Sequence, residues 1–287
     1  MNLSDINTIK KLLFPEGFSF KKSLGQNFLI DSTVCPRMAE AAADDHTGVL
    51  EIGPGIGVLT RAVAERAKRV VTIELDERLR PVLSKTLADL DNVRVIWGDA
   101  MKLDLRAIIE ENFKDCEKIA VCANLPYYIT SPIIMALLEQ KLPIDNITVM
   151  VQKEAAERLC AQVSSREAGA VTVAVSYYAE SEILFTVGSD SFMPPPKVDS
   201  AVIKLSVRKT PAVDLRDDKK FFSLVKGCFA QRRKTLLNTV SSTLHIDKEA
   251  LKSCLEELSL PQDVRAEKLT IEELAALSNL LNDKGIY

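Results

Sequence analysis

The sequence predicts an open α/β sheet, mostly parallel and closed at one edge by an antiparallel hairpin, followed by a small all-helical domain. Short apolar, β-branched runs recur through the first two thirds of the chain, and stretches with helical spacing separate the first five of them. After about Val207 the strand pattern stops and helical periodicity takes over. Buried strands alternating with helices form βαβ units, and βαβ units form a parallel sheet.

The strands expected are 49–53 (VLEIG), 69–75 (RVVTIEL), 93–99 (VRVIWGD), 118–125 (KIAVCANL), 147–152 (ITVMVQ), 183–188 (ILFTVG) and 201–207 (AVIKLSV). The last two follow one another without a clear helix between them, which gives the hairpin. Beyond them, Phe221, Phe222, Leu224, Val225, Cys228 and Phe229 repeat at helical spacing within 218–240. A second helix fits 248–258. A third opens on Thr270-Ile271-Glu272-Glu273, where a threonine precedes glutamate by three residues as in a capping box. The expected domains are therefore 1–207 and 208–287.

The 287 residues are 47% hydrophobic and 27% charged, enough for an ordinary folded core. No apolar run approaches the roughly 20 residues that span a bilayer. The amino terminus shows no long apolar signal core, so a cytoplasmic protein is expected. Six cysteines are scattered without a Cys-x-x-Cys pair and there are two distant histidines, so neither a disulfide frame nor a metal site is expected. The net charge of −3 argues against a polyanionic partner if averaged over the chain. The average conceals a concentration: 216–234 carries seven basic residues against two acidic ones.

The first strand runs into Glu51-Ile52-Gly53-Pro54-Gly55-Ile56-Gly57 and then a helix. Glycines there let the backbone turn tightly and approach a ligand beside a helix N-terminus. A glycine loop alone is a weak signal, but ligands of open α/β sheets sit at the carboxyl ends of strands, and this loop lies at one. Glu74 ends the second strand, where a carboxylate can accept hydrogen bonds from ribose hydroxyls of NAD and S-adenosylmethionine alike. Asp99 ends the third and is suited to a cofactor's adenine amine, or simply to capping the turn that follows.

The fourth strand ends in Asn124-Leu125-Pro126-Tyr127-Tyr128. An adenine amine is a poor nucleophile because its lone pair is delocalised into the ring. Two acceptors, the Asn124 side-chain oxygen and a main-chain carbonyl at Leu125, can hold its two hydrogens and favour a tetrahedral nitrogen. A tyrosine can stack on the extruded base and hold it in line with a methyl donor. A plain turn with buried tyrosines is the structural alternative.

With these motifs in order, the chain resembles the ribosomal RNA adenine dimethyltransferase family over nearly its whole length. Lys22-Ser23-Leu24-Gly25-Gln26-Asn27-Phe28-Leu29 is similar to the family's amino-terminal cofactor motif, Glu51–Gly55 to its glycine loop and Asn124–Tyr127 to its catalytic motif. Phe192-Met193-Pro194-Pro195-Pro196-Lys197-Val198-Asp199-Ser200 resembles the segment that sets an aromatic against the target base. The resemblance implies a Rossmann-like S-adenosylmethionine-dependent methyltransferase sheet. It implies that Asn27, Leu29, Gly53, Glu74, Asp99 and Asn124 line the S-adenosylmethionine site, and that Tyr127 and Phe192 sandwich the target adenine. It further implies dimethylation of two adjacent adenosines near the 3′ end of small-subunit (16S) rRNA within the nascent subunit, by a monomer.

Within the family the rival is the macrolide-resistance methyltransferase of large-subunit rRNA. The 194–200 segment, Phe229-Ala230-Gln231-Arg232-Arg233-Lys234-Thr235-Leu236-Leu237-Asn238 and Arg265-Ala266-Glu267 resemble the small-subunit branch more closely. Lys197, Arg232, Arg233 and Lys234 are the expected RNA contacts, with ordinary exposed helix charges as the alternative. A DNA adenine methyltransferase would need a sequence-reading domain. An NAD dehydrogenase leaves Asn124–Tyr127 unexplained, and a non-enzymatic ribosome-assembly factor leaves the intact catalytic motif without a use.

Overall fold

The computed structural model describes residues 1–13 and 27–287. Lys21, and Lys22–Gln26 of the amino-terminal motif, lie outside the described residues. The strands are β1 (Phe28–Leu29), β2 (Thr47–Ile52), β3 (Arg69–Glu74), β4 (Val93–Trp97), β5 (Lys118–Asn124), β6 (Asn146–Gln152), β7 (Ala179–Val187), β8 (Phe192–Met193) and β9 (Ser200–Val207). Seven of them form one sheet in the order β4-β3-β2-β5-β6-β9-β7. β4 through β6 run parallel in that order, and β9 runs antiparallel to β6. The edge pair expected from 183–188 and 201–207 is thus present as β7 and β9, with β9 inserted next to β6.

α1 (Ile6–Leu13) and α2 (Val34–Ala42) precede the sheet's first strand, and α3 (Val58–Ala64), α4 (Arg80–Thr86), α5 (Leu105–Asn112) and α6 (Thr130–Glu139) connect its parallel strands. Parallel strands buried on both faces read as continuous apolar runs. β2 shows this fully, since all six of its residues are buried. β4, at the sheet edge, keeps its residues only partly covered. One apolar cluster joins Met38 of α2 and Val63 of α3 to Val49, Val70 and Cys122 of the sheet. Another joins Ile9 and Leu13 of α1 to Phe28, Ile56, Leu79 and Leu83.

After β6 come α7 (Lys153–Leu159) and α8 (Ala170–Tyr178), and after β9 come α9 (Asp218–Phe229), α10 (Leu236–Leu244), α11 (Lys248–Glu257) and α12 (Ile271–Asp283). The chain divides into two compact units, 1–156 with 182–207 and 157–181 with 208–287. The expected domain 1–207 is corrected here: 157–181 groups with the helices that follow Arg208. The reason is aromatic. Tyr177 and Tyr178 of α8 pack against Phe221 and Phe222 of α9, with ring centroids 5.4 to 5.9 Å apart across the two helices. The single helix expected over 218–240 is also corrected. It breaks after Phe229 because the Thr235 hydroxyl accepts the Asn238 amide hydrogen and starts α10 afresh. The capping box at Thr270 is formed as the sequence reads, with Thr270 and Glu273 exchanging side-chain-to-backbone bonds.

Glu51 is the polar exception in the core. It is 0% exposed, its Oε2 accepts the Thr60 hydroxyl at 2.7 Å, and its Oε1 has no partner. Burial raises its pKa from 4.5 to about 7. The fold therefore holds a proton there that the unfolded chain releases, and stability falls as pH rises from about 4.5 to about 7. Glu51→Gln should flatten the melting temperature against pH in that window, a difference approaching about 3 kcal/mol above pH 7. Thermal melts at several pH values check it.

Candidate active site

In the sheet order, β2 and β5 are neighbours whose crossover connections leave in opposite directions, and such a switch point opens a crevice at the strands' carboxyl ends. A cleft enclosing about 1210 Å³, solvent at its mouth included, lies there. Its walls include Asn27 and Leu29, Gly53 and Gly55 after β2, Glu74 at the end of β3, Asp99 after β4, and Asn124, Leu125 and Tyr127 at the end of β5. The strands thus bring together every cofactor-side residue the sequence singles out.

The glycine loop is shaped by backbone conformations that side chains rarely adopt. Gly53 sits at φ 74° with nothing within 4 Å of where a Cβ would project, so its backbone is open to a ligand. Gly55, at φ 60°, would set a Cβ 3.0 Å from the Phe28 ring. Glu74 holds this loop in place: its Oε2 accepts the Gly55 amide hydrogen at 3.3 Å and its Oε1 that of Asp76 at 2.7 Å. Burial raises the pKa of Glu74. Asp99 also serves its own turn, since its Oδ1 accepts the Met101 amide hydrogen at 3.0 Å while Lys102 lies 3.6 Å from its other oxygen.

Sequence reasoning missed Leu75 and Met101. Both line the cleft, yet they are 52% and 46% exposed, so each presents an apolar side chain that nothing covers. The signal was their position, one residue after Glu74 and two after Asp99.

On the β5 side, the Leu125 amide donates to the Met150 carbonyl at 3.2 Å and carries the ladder one step past the strand end. Asn124 lines the cleft, and its side-chain amide has no hydrogen-bond partner among the described residues. Tyr127 begins a 3-10 turn, Tyr127–Ile129, that leads into α6. Its hydroxyl lies 2.7 Å from Ser200 Oγ, and its burial raises the phenol's pKa. Asn124 is only partly buried at the strand end, so its unbonded amide is open to the cleft and to whatever binds there.

Phe192 is placed differently from the expectation. It pairs with Leu29 across the two-stranded β1–β8 ladder, is 2% exposed, and packs in the apolar cluster with Leu29 and Met38, which line the cleft although Phe192 itself does not. The pairing sets it opposite Leu29, directly behind the cleft wall. Lys197 is exposed in the loop before β9. Arg232, Arg233 and Lys234 fall in the other unit, on the connector between α9 and α10, and all three are exposed. Arg232 is already engaged, its Nη2 donating to the Arg166 carbonyl at 2.6 Å. Among the described residues no cluster of His, Cys, Asp or Glu could hold a metal, and no helix is long and apolar enough to cross a membrane.

The ribosomal RNA adenine dimethylase family model matches residues 17–283. Ribosomal RNA small subunit methyltransferase A of Bacillus pumilus is 50% identical over 277 residues, which are 95% of this chain and 94% of the relative. Among solved structures, a dimethyladenosine transferase from Plasmodium falciparum matches with TM-score 0.76 at 28% identity, over 90% of this chain and 98% of its own. The 23S rRNA methyltransferase ErmE matches with TM-score 0.67 at 27% identity, over 89% of this chain and 100% of its own. The chain belongs to the ribosomal RNA adenine dimethylase family and is an S-adenosylmethionine-dependent methyltransferase.

Proposed function

We propose that the chain dimethylates the exocyclic amines of two adjacent adenosines near the 3′ end of 16S rRNA, within the nascent small subunit. The observation that carries the chemistry is the free amide of Asn124 beside Tyr127 on the cleft wall. The small-subunit assignment is supported by the 50% identity to the Bacillus pumilus small-subunit enzyme, against 27% for ErmE.

The cleft fits S-adenosylmethionine by its donor set. Glu74 offers carboxylate oxygens to ribose hydroxyls, the open backbone at Gly53 admits the close approach of a ligand, and the exposed Leu75 and Met101 suit the two faces of an adenine. Asn27, Leu29 and Asp99 complete that wall. When bound, the cofactor supplies an electrophilic methyl on a sulfonium. The protein's part is to prepare the nucleophile. Asn124 Oδ1 and the Leu125 carbonyl accept the two amine hydrogens, which draws the nitrogen toward tetrahedral geometry, and the Tyr127 ring stacks on the base. No strong base is required, since the nitrogen becomes acidic only as the methyl arrives. Phe192, the other expected face of the sandwich, lies buried behind Leu29 and Met38 of the cleft wall. Arg233, Lys234 and Lys197 contribute phosphate contacts.

Tritiated-methyl transfer to undermethylated small subunits, with the modified nucleotides mapped by mass spectrometry, tests the proposal. Label on two adjacent 3′-terminal-region adenosines supports it; no label on small subunits, with transfer instead to large-subunit rRNA offered in parallel, removes it. On the cofactor side, Glu74→Ala deletes at least one charged hydrogen bond and should weaken S-adenosylmethionine binding about tenfold. Calorimetry checks it, and tight NAD binding by the wild type would remove the assignment.

A further inference from the structure

Tyr128 is the aromatic that the cofactor and target assignments leave unused. Its side chain is 56% exposed, it lines the same cleft as Tyr127, and it has neither a hydrogen bond nor a ring contact among the described residues. Among the described residues the other exposed aromatic, Tyr287, is accounted for by the bond between its hydroxyl and Ser278. A large ring left in water beside an active cleft forgoes the burial and partner an aromatic normally finds.

Its placement is fixed rather than incidental. The 3-10 turn that carries it is closed by the Ile129 amide and the Thr130 hydroxyl, both donating to the Pro126 carbonyl at 3.2 and 3.3 Å. Tyr127 is tied through its hydroxyl to Ser200, so its ring cannot swing out to join its neighbour. Two consecutive residues of such a turn point their side chains apart, so one base cannot use both rings. We propose that Tyr128 is the stacking platform for the nucleotide next to the target adenine, holding the strand at the cleft mouth while Tyr127 holds the target. Every base presents a π-face, so such a platform binds without reading sequence, and base–aromatic stacking supplies the grip. Tyr128 is then a positioning residue for the RNA and has no part in holding the cofactor.

This inference rests on the proposed base-binding role of the cleft. Its test uses the full-length protein, undermethylated small subunits and the variants Tyr128→Ala and Tyr128→Phe. Tyr128→Ala should raise KM for the subunits about tenfold with kcat little changed. Tyr128→Phe, which keeps the ring, should restore the wild-type value. S-adenosylmethionine affinity by calorimetry and the melting temperature should stay at the wild-type values in both variants. An unchanged KM in Tyr128→Ala overturns the proposal, as does a Phe variant as impaired as the Ala variant or a loss of cofactor affinity that accounts for the defect. Failure of the wild type to methylate the subunits overturns the functional reading and this proposal together. Wild-type transfer with an unaffected Ala variant overturns this proposal alone.

Discussion

Replacing Asn124 with alanine is expected to slow single-turnover methyl transfer about 100- to 1,000-fold while leaving S-adenosylmethionine affinity nearly unchanged. The side-chain amide of Asn124 makes no hydrogen bond among the described residues, so its removal breaks no bond seen to hold the fold. What it removes is an acceptor whose bond strengthens as the adenine nitrogen takes on positive charge in the transition state. Losing one such preorganised group costs about 2.7–4 kcal/mol by analogy with oxyanion-hole donors. An effect of that kind falls on kcat and on kcat/KM alike, whereas loss of uniform binding would raise KM alone. Rapid-quench measurement of one turnover, with cofactor binding followed by calorimetry on the same preparation, separates the two. A variant with the full single-turnover rate would leave Asn124 as a turn residue at the end of a strand.

The sheet was legible in the sequence because its central strands are buried on both faces. VLEIG and KIAVCANL are apolar along their buried stretches, Glu51 excepted, because those stretches lie between two helical layers. The cleft was legible from the strand ends: Gly53, Glu74, Asp99 and Asn124 all stand where a parallel strand stops, and the strand order brings those ends together. What was not legible depends on contacts between distant residues. β1 and β8 are two residues long and carry no periodicity, so the ladder that sets Phe192 opposite Leu29 exists only because 28–29 and 192–193 meet. The affiliation of 157–181 rests on Tyr177 and Tyr178 meeting Phe222, a pairing across more than forty residues of chain. Within 218–240 the apolar spacing lapses over 231–235 and resumes at Leu236, and the Thr235 cap marks where the new helix starts.

That break changes what the basic segment can do. Even on a continuous helix three consecutive residues would fan around the axis; on the connector between α9 and α10, Arg232, Arg233 and Lys234 divide their work. Arg232 donates from Nη2 to the carbonyls of Arg166 and Ala168 at 2.6 and 3.5 Å, which fastens the 164–169 loop to the connector. Arg233 and Lys234 form no ion pair among the described residues, so their charges are available to phosphates. Each phosphate contact releases condensed counterion and contributes about 0.9 to the slope of log affinity against log salt. The double variant Arg233→Ala, Lys234→Ala should therefore flatten that slope by about 1.8 and weaken subunit binding roughly 60-fold near 0.1 M salt. Its melting temperature should match the wild type. Arg232→Ala should do the reverse, lowering the melting temperature through the freed loop with a smaller change in slope. The competing account has all three side chains covering apolar surface near Phe229 and Leu236. It predicts a lower melting temperature and an unaltered salt slope for the double variant as well. Binding to small subunits at several salt concentrations, with melts on the same proteins, decides between them. If the slope stays unchanged in the double variant, the phosphate contacts lie elsewhere, and Lys197 in the loop before β9 is the next residue to replace.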